Sequence, residues 1–127
     1  MHEYNAIVRR VVDGDTMDVT LDLGFDILYN NRIRFFGINT PESRTRDLVE
    51  KKKGLAAKDR VKELCPVGSS VIIKTTKDGR GKYGRILGEI FVKEVEVLPT
   101  MEKTAGYSVN KLLVDEGHAV EYFGGSR

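Results

Sequence analysis

Two short polar bends hold the residue types that phosphodiester chemistry needs. The first is "DGDT", with Asp13 and Asp15 at the tip of an expected hairpin. The second is "GINTPE", where an apolar run gives way to Asn39, Thr40, Pro41 and Glu42, with Arg34 upstream. If the bends approach each other, the Asp15 carboxylate, the Asn39 side-chain oxygen and the Thr40 carbonyl make three hard oxygen ligands. Such a set suits Ca²⁺ or Mg²⁺, and the lack of thiolate or imidazole argues against zinc. Pro41 keeps Thr40 out of the helical region and throws Glu42 forward. There Glu42 is placed to take a proton from water. Arg34 and Arg85 complete the set, because a guanidinium forks onto phosphate oxygens as a lysine cannot. A cation, a base and two arginines together can offset charge on a phosphorane and activate water. Taken singly, each motif has an ordinary reading: a hairpin turn, solvated strand arginines, a turn entering a loop.

Those bends must be held by strands. "MDVTLDL" (17–23) alternates strictly, with Met17, Val19, Leu21 and Leu23 on one face, as a half-buried strand does. "AIVRRVV" (6–12) precedes it, and the Asp-Gly step between them predicts a hairpin. A third strand is expected over 27–38, with Ile33 and Phe35 on one side and Arg32, Arg34 and Phe36 on the other. Strands at 70–76 and 85–92 follow, joined by "RGKYG" as a turn. "GLAAKDRVKEL" (54–64) carries Ala57, Val61 and Leu64 on one helical stripe and stops before Pro66. A second helix, 108–117, has Ser108 as N-cap and Gly117 as left-handed cap. The basic segment 43–53 reads as a loop, and 93–106 as a hairpin extension or irregular excursion. The predicted fold is mainly β (α+β): a five-stranded, partly open OB-fold barrel with two helices, an architecture that often binds oligonucleotides.

The 127 residues suit a single domain spanning 1–127. With 21 basic and 19 acidic side chains, the net charge is only +2, a weak lean toward an anionic partner. The lone Cys65 excludes an internal disulfide, and no apolar run is long enough to span a membrane. A cytoplasmic location is expected unless a leader has been removed. His2 and His118 share no ligand spacing, and Cys65 reads as a small buried apolar group.

In order and spacing, "VVDGDTMDV", "RFFGINTPES", "GKYGRILGEIFV" and "VNKLLVDEGHA" resemble the staphylococcal nuclease (thermonuclease) family across nearly the whole chain. The resemblance implies a Ca²⁺-dependent nuclease acting on DNA and RNA and leaving 3′-phosphates. It implies metal binding by Asp15 and the Thr40 carbonyl, Asp13 behind the metal, Glu42 as general base, and Arg34 and Arg85 on phosphate. Lys82 and Tyr83 match residues that contact a terminal phosphate. Tyr122 and Phe123 loosely match base-stacking aromatics, with core capping as their other reading. The family pattern has aspartate where this chain has Asn39, so weaker Ca²⁺ binding, or use of Mg²⁺ or Mn²⁺, is expected. The family's further C-terminal helix has no counterpart in "YFGGSR". A monomer acting on single-stranded nucleic acid is expected, and the alternative is a catalytically weak or inactive nucleic-acid or protein-binding module.

Overall fold

The structure is a computed structural model that describes residues 2–80, 86–97 and 102–122; the side chains of 76–80, 94–97 and 102–105 are not described. In chain order the elements are β1 (His2–Asp13), β2 (Thr16–Asp22), β3 (Leu28–Phe35), β4 (Ile38–Asn39), α1 (Leu48–Leu64), β5 (Ser70–Arg80), β6 (Ile86–Val97), β7 (Glu102–Ser108), α2 (Val109–Asp115) and β8 (Val120–Glu121).

Five strands close a barrel. Antiparallel pairing runs β3-β2-β1-β5-β6, and a parallel pairing of β3 with β6, Ile33 opposite Ile86 through Phe35 opposite Gly88, joins the ends. Irregularities in β1 between Val8 and Arg10, and between Val11 and Asp13, supply the bends that let one strand turn the sheet around. Alternation fills the interior: Val8, Met17, Val19, Ile33, Phe35, Ile73 and Ile90 are all buried. Leu23 breaks the expected pattern and lies 41% exposed, because β2 ends at Asp22 and the chain turns away. The segment after Val92 is a hairpin extension, with β6 paired to β7 from Phe91–Ser108 out to Val97–Glu102.

Two further expectations are corrected. The strand expected over 27–38 is two strands, because Gly37 takes a left-handed φ of 78° and turns the chain between β3 and β4. The segment 43–53 is only partly a loop. Helix α1 begins at Leu48, and the Asp47 carboxylate caps it by accepting from the Val49 and Glu50 N–H groups at 3.0 and 3.2 Å. The helix buries Gly54, Ala57 and Val61 on its inner face and ends before Pro66. Helix α2 is capped by Ser108, whose hydroxyl accepts from the Lys111 N–H, and is followed by Gly117 at φ 83°. Among the described residues no helix is long and apolar enough to cross a membrane.

Candidate active site

Asp13 and Asp15 sit at the β1–β2 turn, where Asp13 pairs with Thr16, and Thr16 in turn lies opposite Arg34 of β3. The second bend leaves β4, which is anchored by pairing to β8 and by the Tyr122 N–H donating to the Gly37 carbonyl at 2.8 Å. Two contacts bind one bend to the other. The Thr40 N–H donates to Asp15 Oδ2 at 3.1 Å, and the Ser43 hydroxyl donates to Asp13 Oδ1 at 2.7 Å. The convergence expected of these distant segments is therefore present.

Arg34 lies in the same corner. Its Nη1 is 3.3 Å from Asp15 Oδ2 and donates to the Phe35 carbonyl at 3.2 Å, while Nη2 donates to Asn39 Oδ1. A second Asp15 oxygen, Oδ1, accepts from the Thr16 hydroxyl at 3.1 Å. Asn39 and Thr40 are buried, and among the described residues the Thr40 hydroxyl has no hydrogen-bond partner. Such an orphaned buried polar group is unusual in a folded protein. Glu42 lies between them and Ser43 in sequence, with its side chain exposed. Tyr122 is half-buried beside this bend. Arg85, Lys82, Tyr83 and Phe123 lie outside the described residues.

The side-chain donors fit a hard divalent cation in kind: the two carboxylates of Asp13 and Asp15 and the amide oxygen of Asn39. Asp15 and Asn39 already face a positive charge, the Arg34 guanidinium. Among the described residues no group of three or more His, Cys, Asp or Glu is gathered for a metal.

Small residues bring α1 against the two bends. A Cβ built on Gly54 would lie 2.5 Å from the Glu42 carbonyl carbon and oxygen and 2.7 Å from the Pro41 oxygen. One built on Gly14 would lie 2.8 Å from Ala57 Cβ and 2.9 Å from the Thr40 hydroxyl oxygen. The helix thus backs Pro41 and Glu42 directly. Asn110, 4% exposed, ties β6 to the turn that leads into β4: it accepts from the Ile90 N–H at 3.0 Å and donates to the Phe36 carbonyl at 2.9 Å. Sequence reasoning missed Gly14, Ser43, Gly54 and Asn110. A glycine inside a helical segment was the one local signal, since it costs helix stability and implies a packing reason.

A closed five-stranded barrel with an acidic hairpin tip locked to an asparagine-threonine-proline-glutamate bend defines an OB-fold nuclease-like domain. The chain belongs to the family described as staphylococcal nuclease homologue, whose profile matches residues 32–127. It is similar to three proteins of Bacillus subtilis (strain 168). Endonuclease YhcR is 31% identical over 126 residues, which cover 95% of this chain and 9% of that protein. The SPbeta prophage-derived endonuclease YokF is 34% identical over 99 residues, covering 78% of this chain and 32% of that protein. Endonuclease YncB is 30% identical over 102 residues, covering 78% of this chain and 44% of that protein. The chain thus spans less than half the length of each.

Proposed function

We propose that this chain is a metal-dependent nuclease that hydrolyses phosphodiester bonds of DNA and RNA, preferentially single-stranded, and leaves 3′-phosphate and 5′-hydroxyl ends. The observation that carries the reading is the pair of contacts tying Asp15 to Thr40 and Asp13 to Ser43, with Arg34 beside them. Three similar proteins named as endonucleases support it. Low sequence specificity is expected, because contacts to the phosphate backbone position a substrate without reading its bases.

Asp15, Asn39 and the Thr40 carbonyl would hold Ca²⁺, with Mg²⁺ or Mn²⁺ as substitutes and Asp13 behind them. When bound, the cation supplies positive charge against the phosphate oxygens. Ser43 fixes the Asp13 carboxylate, and the Thr40 N–H fixes that of Asp15. Arg34 adds positive charge on the same side, and Arg85 would add the second guanidinium. Exposed Glu42 takes the proton of the attacking water. The new bond is from water oxygen to phosphorus, the broken one from phosphorus to the 5′-oxygen, and solvent protonates the leaving oxygen. Lys82 and Tyr83 would contact a terminal phosphate, and Tyr122 a base.

One observation favours the second reading, a binding module of low or no activity. Asn39 is neutral, and its oxygen is occupied by Arg34. The test is an assay on heat-denatured DNA with Ca²⁺, Mg²⁺ or chelator, alongside Glu42→Gln. The proposal expects cutting that chelator abolishes and that Glu42→Gln reduces at least ~100-fold, the scale of general-base loss. Activity surviving both changes overturns the mechanism, and inactivity in every condition supports the binding module.

A further inference from the structure

The β2–β3 loop presents an apolar tip that the catalytic reading leaves unexplained. Phe25 is 96% exposed, Leu28 is 67% exposed, and Leu23, Ile27 and Tyr29 are exposed with them. Phe25 and Asp26 both take left-handed backbone, at φ 54° and 60°. That conformation is rare for a bulky residue and is held only where the surroundings dictate it. The loop is internally hydrogen-bonded: the Leu23 N–H donates to the Ile27 carbonyl, the Ile27 N–H to the Gly24 carbonyl, and the Gly24 N–H to Asp22 Oδ1. A hydrogen-bonded turn therefore holds the phenyl ring away from its own barrel.

Beside this knob lies a groove. A cavity of about 380 Å³ opens on the outer face of the barrel, lined by Ile7, Leu28, Ile72 and Phe91, with Asp22 and Lys93 among its polar residues. A cavity of about 150 Å³ takes a benzene ring, so a phenyl side chain fits. Asp22 and Leu28 line the groove and also flank the loop, so knob and groove share one face. Phe25, at 96% exposure, does not fill its own groove.

We propose that this face is a self-complementary dimer interface in which the Phe25 of each copy enters the groove of the other. A knob and a hole adjacent on one surface satisfy a two-fold axis, since each copy contributes both halves. Charge matches as well. Asp26 travels with Phe25, Lys93 lines the receiving groove, and among the described residues neither is in an ion pair. Asp22 is engaged by the Gly24 N–H. The acidic tip also disfavours an anionic bilayer as occupant. Aromatic side chains bury roughly 150–250 Å² each. Phe25, Leu28, Ile27 and Tyr29 with the groove wall therefore give on the order of 600 Å² per copy. The total falls at the low end of specific interfaces, roughly 1,200 Å². The dimer is accordingly weak and concentration-dependent, in place of the monomer the sequence suggests.

Sedimentation from low micromolar to near-millimolar chain tests this. The wild type is expected to pass from monomer to dimer across that range. Phe25→Asn keeps a residue that tolerates left-handed backbone, so it is expected to melt no lower than the wild type yet stay monomeric. Lys93→Asp weakens the dimer, and adding Asp26→Lys restores it. A wild type that stays monomeric throughout, a dimer indifferent to Phe25→Asn, or a double charge reversal that fails to restore association overturns the proposal.

Discussion

Replacing Gly54 by alanine tests how the candidate base is aimed. The added Cβ would stand 2.5 Å from the carbonyl carbon and oxygen of Glu42 and 2.7 Å from the Pro41 oxygen. Ordinary contact begins at 3.4 Å, so the mismatch is about 1 Å and falls on backbone, with no flexible side chain to yield. The helix itself gains about 1 kcal/mol, the usual advantage of alanine over glycine. Overpacking costs about 1–3 kcal/mol, so the net change leaves most of a typical stability of ~5–15 kcal/mol in place. The Pro41–Glu42 backbone must then move. A misplacement of about 1 Å commonly costs ~100-fold in rate. We expect Gly54→Ala to lower kcat on denatured DNA by about that factor while KM changes little and Tm falls by no more than the several degrees that a net loss of up to ~2 kcal/mol gives. Leu55→Ala, on the neighbouring exposed position, is the control and should keep its activity. Full kcat in Gly54→Ala with an unchanged melting temperature would refute the claim that α1 fixes the Glu42 bend.

Two further outcomes follow from contacts away from the bends. Arg60 of α1 grips Glu116 beyond α2 through Nε–Oε1 at 2.7 Å and Nη2–Oε2 at 2.8 Å. Glu116→Gln should therefore lower stability by about 1–2 kcal/mol, read as a lower urea midpoint at constant m. Burial pushes the Cys65 thiol up from 9.0 to about 12. The folded protein then holds this proton more tightly than the unfolded chain. The contribution is complete below pH 9.0 and is lost as pH rises toward about 12, at about 1.4 kcal/mol per pH unit. Cys65→Ala should lack that alkaline loss, so its stability deficit against the wild type should shrink with pH in urea titrations. A deficit constant across that window would contradict the burial argument.

The parts of the site that were legible in the sequence are those encoded locally. Asp13-Gly14-Asp15 announces a tight hairpin, and Pro41 announces an extended bend. Alternation from Met17 to Leu21 fixed which residues enter the barrel, and those three are buried. The first two turns of α1 were hidden because Leu48 and Val49 stay exposed and draw no apolar stripe. Only Asp47 followed by Glu50 marked the start, as a capping pattern. Gly37 carried the break between β3 and β4, but nothing nearby distinguishes a turn from a strand glycine. The contacts of Gly54 with Glu42 and of Asn110 with Phe36 join residues distant in the chain, and no periodicity records them. The engagement of Asn39 by Arg34 belongs to the same class: both residues were singled out, but their pairing depends on the turn at Gly37.

If the two bends form one cation-binding corner, calorimetric titration of Ca²⁺ reads it directly. The wild type should bind at one site, Asp15→Asn should lose that binding, and Asn39→Asp, with one more negative charge, should bind more tightly. Unaltered Ca²⁺ binding in Asp15→Asn would place the cation elsewhere and contradict the account.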